Sequence, residues 1–207
     1  MALENLDRIA EDIEREMDEK DTLREIALKS CRAIIRLSGA AIRSMHKKED
    51  PTALLGEARD EASKLKGLLS DHPDLYHSGF VNDSLQELAE AFLLQSIMDE
   101  KPLPTPKSID VPSGPYLLGL GDVIGELRRS ALDALREGDV DTAEKRLNQM
   151  EEIYDVLLMF DYPSALLSIR RKQDVARALI EKTRGEVSVA QRTLSLEKKL
   201  DEKMGKR

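Results

Sequence analysis

The distribution of proline constrains this chain more than any other feature of its sequence. Five of the eight prolines lie between Pro102 and Pro115, in KPLPTPKSIDVPSGP, and the other three are widely separated. Proline interrupts helices, and the long proline-free stretches are rich in Leu, Ala, Glu, Lys and Arg, so these stretches are predicted to be helical. No segment shows the period-two alternation of a half-buried strand. The sequence therefore predicts an all-α fold, an antiparallel bundle of about seven helices.

Punctuating residues also predict where the helices begin and end. Asp139 and Asp141 follow Gly138 and are suitable N-cap residues for the next helix. Segment 101–115 is predicted to be an irregular connection within one domain that spans residues 1–207. The first two helices can be continuous, because no strong breaker separates them. Helices are expected at about 4–18, 22–48, 52–70, 78–100, 116–137, 140–160 and 164–184, with a charged C-terminal helix at 188–203.

Composition excludes several classes of protein. The chain has 207 residues, a net charge of −8 and 41% hydrophobic residues, enough for a core and against wholesale disorder. Its single cysteine, Cys31, excludes an internal disulfide framework and is predicted to be a small core residue. No apolar run reaches the roughly eighteen residues of a membrane span, and the first residues do not resemble a signal peptide. We therefore expect a cytoplasmic protein without a membrane partner.

Two groups of basic residues are candidates for binding nucleic acid. On the predicted helix 22–48, a basic stripe recurs at spacings that return to nearly one helix face. Lys and Arg neutralise phosphates whatever the base sequence, although a solvated helix surface is the simpler interpretation of charge alone. With only 3% aromatic residues, binding should be mainly electrostatic rather than by base stacking. The basic stripe consists of Lys29, Arg32, Arg36, Arg43 and Lys47, and a second group, after Pro163, of Arg170, Arg171, Lys172 and Arg177.

Two pairs of acidic residues lie in helices that are otherwise apolar. Glu87 and Glu90 are three residues apart, and Asp122 and Glu126 are four apart, so each pair shares one helix face. Like charges on a buried helix need protons, cationic partners or a metal. Two such pairs from neighbouring helices would form an oxygen-rich cluster of the kind that holds Mg²⁺ or Mn²⁺ and supports phosphodiester hydrolysis. Acid pairs that are merely salt-bridged are the alternative.

Glycine and histidine add to the interpretation of the acid pairs. Gly119, Gly121 and Gly125 cost about 1 kcal/mol each relative to Ala in a helix, so they predict the close approach of another helix or a ligand. Neither acid pair has the Glu-x-x-His motif of a ferritin-like di-iron site. The histidines lack metal-ligand spacing and are interpreted as surface or capping residues. They are His46, His72 and His77.

Several blocks resemble the translin family. The most specific is YLLGLGDVIGELRRSALDALREGD at 116–139. Supporting blocks are LKSCRAIIRLSGAAIRSMHK at 28–47, LQELAEAF at 85–92, and an Arg184-Gly185 pair that closes a predicted helix. The resemblance runs from about residue 22 to 185. Within the family the chain is similar to the translin-associated factor X (TRAX) branch, in a prokaryotic or archaeal single-gene form.

This resemblance implies a fold, an assembly and an activity. The TRAX branch is the catalytic partner in an octameric translin–TRAX complex, an Mg²⁺-dependent endoribonuclease with an enclosed RNA cavity. By resemblance we expect a translin-like bundle in a closed homo-oligomer, with the acids in every subunit. The RNA-contacting basic helix of the family matches the helix that carries Arg32, Arg36 and Arg43. The catalytic acids of the branch match Glu87, Glu90 and Asp122, with Glu126 as the fourth acid.

The leading hypothesis is a metal-dependent endoribonuclease that cleaves single-stranded or unpaired RNA. Its four acids would bind Mg²⁺ or Mn²⁺, and the basic stripe would hold the RNA backbone. One alternative is a non-catalytic oligomer that binds single-stranded RNA or DNA, as translin does. Another is an all-α nucleoside triphosphate pyrophosphohydrolase, which also uses Glu-x-x-Glu and a second acid pair. A helical scaffold without activity is the remaining alternative.

Overall fold

A computed structural model describes residues 5–204 and contains seven α-helices and no strand within that range. The predicted all-α class is confirmed. In the described part of the chain, no helix combines the length and the apolar character that crossing a membrane requires. The helices are α1 (Leu6–His46), α2 (Thr52–Leu68), α3 (Pro73–Tyr76), α4 (Gly79–Met98), α5 (Ser113–Arg136), α6 (Val140–Leu158) and α7 (Arg170–Met204).

Each end of the described chain forms one long helix where two were outlined from the sequence. The first two predicted helices are one continuous helix of 41 residues, α1. The predicted helices 164–184 and 188–203 were wrong in their boundaries, because α7 begins at Arg170 and continues through Gly185 as one helix of 35 residues. Contacts with α5 explain this continuity. Arg128 donates hydrogen bonds to Thr183 at 2.6 Å and to Glu186 at 2.8 Å, on either side of the glycine.

Proline residues mark the start of α5, and an aspartate caps the start of α6. Pro112 directly precedes α5, and Pro115 lies in its first turn, where a missing backbone N–H breaks no hydrogen bond. Helix α5 can therefore begin at Ser113, three residues before the predicted start at 116. At the start of α6, the Asp139 carboxylate accepts a hydrogen bond from the backbone N–H of Thr142 at 2.9 Å, which confirms one predicted cap. A short helix, α3, was not predicted.

The helices share a core in which α4 and α5 are central. α4 packs against α1 on one side and α5 on the other, while α6 and α7 pack against α5. Leu88 and Leu93 of α4 and Ile124 and Leu127 of α5 are fully buried. Cys31 of α1 is also buried in this core, as its position in an amphipathic helix predicted.

Two glycines set the distance between α5 and its neighbours. A Cβ atom added to Gly119 would lie 2.6 Å from the carbonyl oxygen of Gln86 and 3.0 Å from the backbone nitrogen of Glu90. The backbones of α5 and α4 therefore touch at this position. On the α7 side, a Cβ atom on Gly121 would lie 3.1 Å from the Cβ of Lys172. By contrast, a Cβ atom on Gly125 would meet no described atom within 4 Å, so close packing does not explain that glycine.

We predict opposite effects for two alanine substitutions in α5. Gly119→Ala should destabilise the protein by roughly 1–3 kcal/mol, because its methyl group would push apart two backbones that cannot yield as a side chain does. Gly125→Ala, the control, should be neutral or stabilise by up to about 1 kcal/mol through helix propensity. Urea unfolding followed by circular dichroism measures both. Equal effects of the two substitutions would contradict the close-contact explanation.

Candidate metal and nucleic-acid site

A cleft of about 580 Å³ opens between α1, α4, α5 and α7, and we call it the acid cleft. All four predicted acids line it, Glu87 and Glu90 from α4 and Asp122 and Glu126 from α5. They meet because the contact at Gly119 brings α4 and α5 together where each helix carries its acid pair. The other residues that line the acid cleft are Gly39, Ile42, Arg43, Gln86, Arg129 and Lys172.

Burial and like charge act together on the two glutamates of α4. Only 7% of Glu90 is exposed. Burial first, and then the negative charges of Asp122, Glu87 and Glu126, raise the pKa of Glu90 to about 8. Burial and the charge of Asp122 also raise the pKa of Glu87. This part of the cleft therefore stabilises either a proton or a cation.

Asp122 uses both of its carboxylate oxygens. The side-chain amide of Gln86 donates a hydrogen bond to Asp122 Oδ2 at 2.5 Å, and the ammonium group of Lys172 forms an ion pair with Oδ1. Lys172 lies in the second basic group of the sequence, but nothing in its spacing linked it to the acids. Its side chain reaches them because α7 packs against α5 at Gly121.

Glu126 is held by a histidine that sequence reasoning missed. His46 Nε2 donates a hydrogen bond to Glu126 Oε2 at 2.5 Å, and the histidine side chain is only 5% exposed. This hydrogen bond is the main reason that the pKa of Glu126 is lowered. The interpretation of His46 as a surface or capping residue was therefore wrong. Its position four residues after the buried Ile42 places both on one helix face, which was the available signal.

The donor set of the acid cleft fits a hard divalent cation. Carboxylate oxygens are the preferred protein ligands of Mg²⁺ and Mn²⁺, and four carboxylates line this one cleft. As the side chains stand, no three Asp, Glu, His or Cys residues among positions 5–204 are arranged to hold an ion. Two of the four acids are instead engaged by Lys172 and His46.

The basic stripe of α1 leads to the acid cleft. All five of its residues are exposed, and Arg43 lines the cleft together with Gly39. Arg36 precedes Arg43 by about two helical turns, so the stripe continues from the cleft toward Lys29 along one face of α1.

The second basic group does not form a continuous surface. Arg170 pairs with Asp161 at 2.8 Å, and Arg177 pairs with Asp174 at 3.3 Å. Lys172 turns into the acid cleft. The packing of α7 thus directs neighbouring cations of this group to different partners, and phosphate binding by the second basic group stays a prediction.

The raised pKa of Glu90 predicts a specific pH dependence of folding. Between its ordinary pKa of 4.5 and about 8, Glu90 keeps its proton in the folded state and loses it in the unfolded state. Rising pH then favours unfolding. The stability that the protonated Glu90 contributes to the folded state is therefore fully present below pH 4.5 and is lost by about pH 8. Glu90→Gln should remove the contribution of Glu90, which we expect to amount to roughly 2–4 kcal/mol, and leave that of Glu87.

Urea unfolding at pH 5, 7 and 9 in EDTA tests this expectation. Glu57→Gln is the control, because Glu57 is exposed on α2, a helix that contributes no residue to the lining of the acid cleft. The control should follow the unsubstituted protein. A stability that changes with pH to the same extent in Glu90→Gln would contradict the assignment.

Comparisons with known proteins agree with this architecture. The sequence profile of the Translin family matches residues 14–185. An uncharacterized protein of Methanocaldococcus jannaschii is 35% identical over 184 residues, which cover 87% of this chain and 82% of that protein.

Solved structures of C3PO proteins have the same fold. Apo-NeC3PO has a TM-score of 0.77 at 24% identity, covering 91% of this chain and 98% of its own. AfC3PO has a TM-score of 0.71 at 33% identity, and the AfC3PO–duplex RNA complex has a TM-score of 0.68 at 32% identity. Each of the two covers 89% of this chain and 97% of its own. On the family match and the relative together, this chain belongs to the Translin family.

Proposed function

We propose that the protein is a metal-dependent endoribonuclease of the TRAX type, a phosphodiester hydrolase of the cytoplasm. One observation carries the proposal: two acid pairs that are separated by the irregular connection line the same cleft, at the end of an exposed basic stripe. A scaffold would not need four carboxylates in one cleft, where burial and the charges of the other acids raise the pKa of Glu87 and Glu90.

The proposed roles follow from the positions of the side chains. Glu87, Glu90, Asp122 and Glu126 hold one or two Mg²⁺ or Mn²⁺ ions. Such ions polarise a phosphoryl oxygen and lower the pKa of bound water, which supplies the nucleophile. Arg43 and Arg129, the arginines that line the cleft, position the scissile phosphate and offset its charge. His46 orients Glu126 through its hydrogen bond.

RNA is the proposed substrate because the stripe offers phosphate contacts and a similar structure contains RNA. Lys29, Arg32, Arg36, Arg43 and Lys47 are exposed cations without aromatic platforms between them, which suits backbone binding. The structure of AfC3PO at 32% identity is a complex with duplex RNA. We propose single-stranded or unpaired RNA as the species that is cut, in keeping with the resemblance to the TRAX branch.

Substitutions that preserve shape should separate cleavage from binding. Glu90→Gln and Asp122→Asn should each lower the Mg²⁺-dependent cleavage rate by roughly 100-fold or more, because a neutral amide cannot replace a carboxylate ligand. RNA affinity should change little. Arg36→Ala, two turns from the acids on the stripe, should instead weaken RNA binding and reduce its salt dependence. End-labelled single-stranded and duplex RNA, filter binding at several salt concentrations, and EDTA controls measure these effects.

Each alternative gives a different result in the same experiment. RNA that stays intact but bound in the presence of Mg²⁺ would leave a non-catalytic binding protein. Pyrophosphate release from free nucleoside triphosphates, unaffected by Arg36→Ala, would identify a pyrophosphohydrolase. Cleavage that survives both Glu90→Gln and Asp122→Asn would remove the acid cleft from the reaction.

A homo-oligomer, an octamer by resemblance, is the proposed state of assembly. The first turns of α1 support it, because every residue from 5 to 19 is exposed, so these turns bury no side chain in the core of the described subunit. Four large apolar side chains recur there at spacings of three or four, which places them on one helix face. They are Leu6, Ile9, Ile13 and Met17, each about half exposed, at 52, 46, 54 and 48%.

Charge placed on this apolar face should disrupt assembly. The double substitution Ile9→Asp with Ile13→Asp should lower the mass measured by light scattering, because the contact would bury two carboxylates without partners. Arg8→Asp with Arg15→Asp is the control, since these exposed residues lie on the opposite face of α1. An unchanged mass in the isoleucine variant would show that the subunits meet elsewhere.

A further inference from the structure

Lys172 enters the acid cleft from α7 in a way that fixes its stem and leaves its tip movable. A Cβ atom added to Gly121 would lie 3.1 Å from the Cβ of Lys172. The backbones of α5 and α7 therefore pack closely here because residue 121 has no side chain. The ammonium end forms the ion pair with Asp122, and the two side chains remain 27% and 26% exposed. The tip therefore lies at the open side of the cleft, within reach of solvent.

The positive groups around the acids come from three helices and have different partners. From α1, His46 bonds Glu126, and Arg43 lines the cleft. From α5, Arg129 lies 4.0 Å from Glu126. Lys172, from α7, is the cation that touches Asp122, and its charge also acts favourably on both glutamates of α4.

We propose that Lys172 is a built-in counter-ion that holds Asp122 in the metal-free protein and that a divalent cation must displace from this carboxylate. The inference rests on the proposed function, because it assumes that Asp122 is a metal ligand. It adds a role for a residue of α7 that neither the motifs nor the comparisons indicate. Lys172 is a positioning residue in this scheme, because its charge holds Asp122 and offsets the repulsion among the acids while no metal is bound.

Charge and distance explain why a divalent cation and the ammonium group of Lys172 cannot both occupy Asp122. A Mg²⁺ ion lies about 2.1 Å from a carboxylate ligand, so an ion on Asp122 Oδ1 would bring a second positive charge within about 4 Å of the ammonium group. At that distance the repulsion is large in a partly buried cleft. The other oxygen of Asp122 accepts the Gln86 hydrogen bond, and a cation bound there would still lie close to the ammonium group that pairs with Oδ1. Because the lysine stem is packed against Gly121, only the flexible end needs to move.

Direct metal titration tests the competition without relying on catalysis. Lys172→Met keeps the length of the side chain and removes its charge, and it should tighten Mg²⁺ binding roughly tenfold in isothermal titration calorimetry. Arg171→Met is the matched control, because the adjacent Arg171 is exposed and does not line the cleft. It should bind Mg²⁺ as the unsubstituted protein does. Equal or weaker binding by Lys172→Met would overturn the proposal.

A second measurement uses the unsubstituted protein and so does not depend on the folding of a variant. Reductive methylation followed by mass spectrometry reports how readily each lysine reacts. Adding Mg²⁺ should increase the modification of Lys172 several-fold, because its ammonium group leaves Asp122. Lys66 is the internal control, since its pair with Asp110 at 2.6 Å lies between α2 and the irregular connection. A Lys172 reactivity that Mg²⁺ leaves unchanged would also overturn the proposal.

The two measurements distinguish failure of this inference from failure of the proposed function. Tighter Mg²⁺ binding by Lys172→Met in a protein that cuts no RNA would uphold the counter-ion and remove the nuclease. RNA cleavage that requires Glu90 and Asp122, with Mg²⁺ affinity unaffected by Lys172→Met, would uphold the nuclease and overturn the role of Lys172 as counter-ion. A protein that binds no Mg²⁺ with or without Lys172 would overturn both.

Discussion

The contact between the backbones of α4 and α5 is the constraint on which the site depends. At Gly119 the two helices meet so closely that a single methyl group would collide with a backbone carbonyl. That contact places Glu87 and Glu90 opposite Asp122 and Glu126, although each pair alone is an ordinary feature of a helix. A wider separation would leave two acid pairs on two surfaces, each with its own solvent and neighbouring cations. The close packing at Gly119 therefore brings four negative charges into one cleft.

The electrostatics of the acid cleft follow from this proximity. Burial alone would favour protonated glutamates, and the added charge of Asp122 strengthens that tendency. The fold offsets part of the repulsion with Lys172 and His46, which come from helices at opposite ends of the chain. Glu87 and Glu90 receive no such direct cationic contact from the described residues. This asymmetry makes the α4 side of the cleft the part that gains most from a bound cation.

The same arrangement connects the cleft to the surface on which a nucleic acid would lie. α1 contributes His46 and Arg43 at its C-terminal end and the rest of the basic stripe along its length. Its N-terminal turns carry an apolar face instead. One helix of 41 residues thus carries part of the acid cleft, the proposed phosphate contacts and the proposed contact with another subunit.

The sequence by itself determined the helical class, most helix boundaries and the four acids, because these depend on local periodicity and on residues three or four positions apart. It also marked the glycines at 119, 121 and 125 as places of close approach, which the packing shows for the first two only. Tertiary structure alone decided that His46 and Lys172 join the acids, since the partners of each lie at least 50 residues away in the chain. It likewise carried α7 through Gly185, where contacts with α5 outweigh the local tendency of Arg184-Gly185 to end a helix. Local sequence cannot encode such contacts, because they exist only after distant helices have packed.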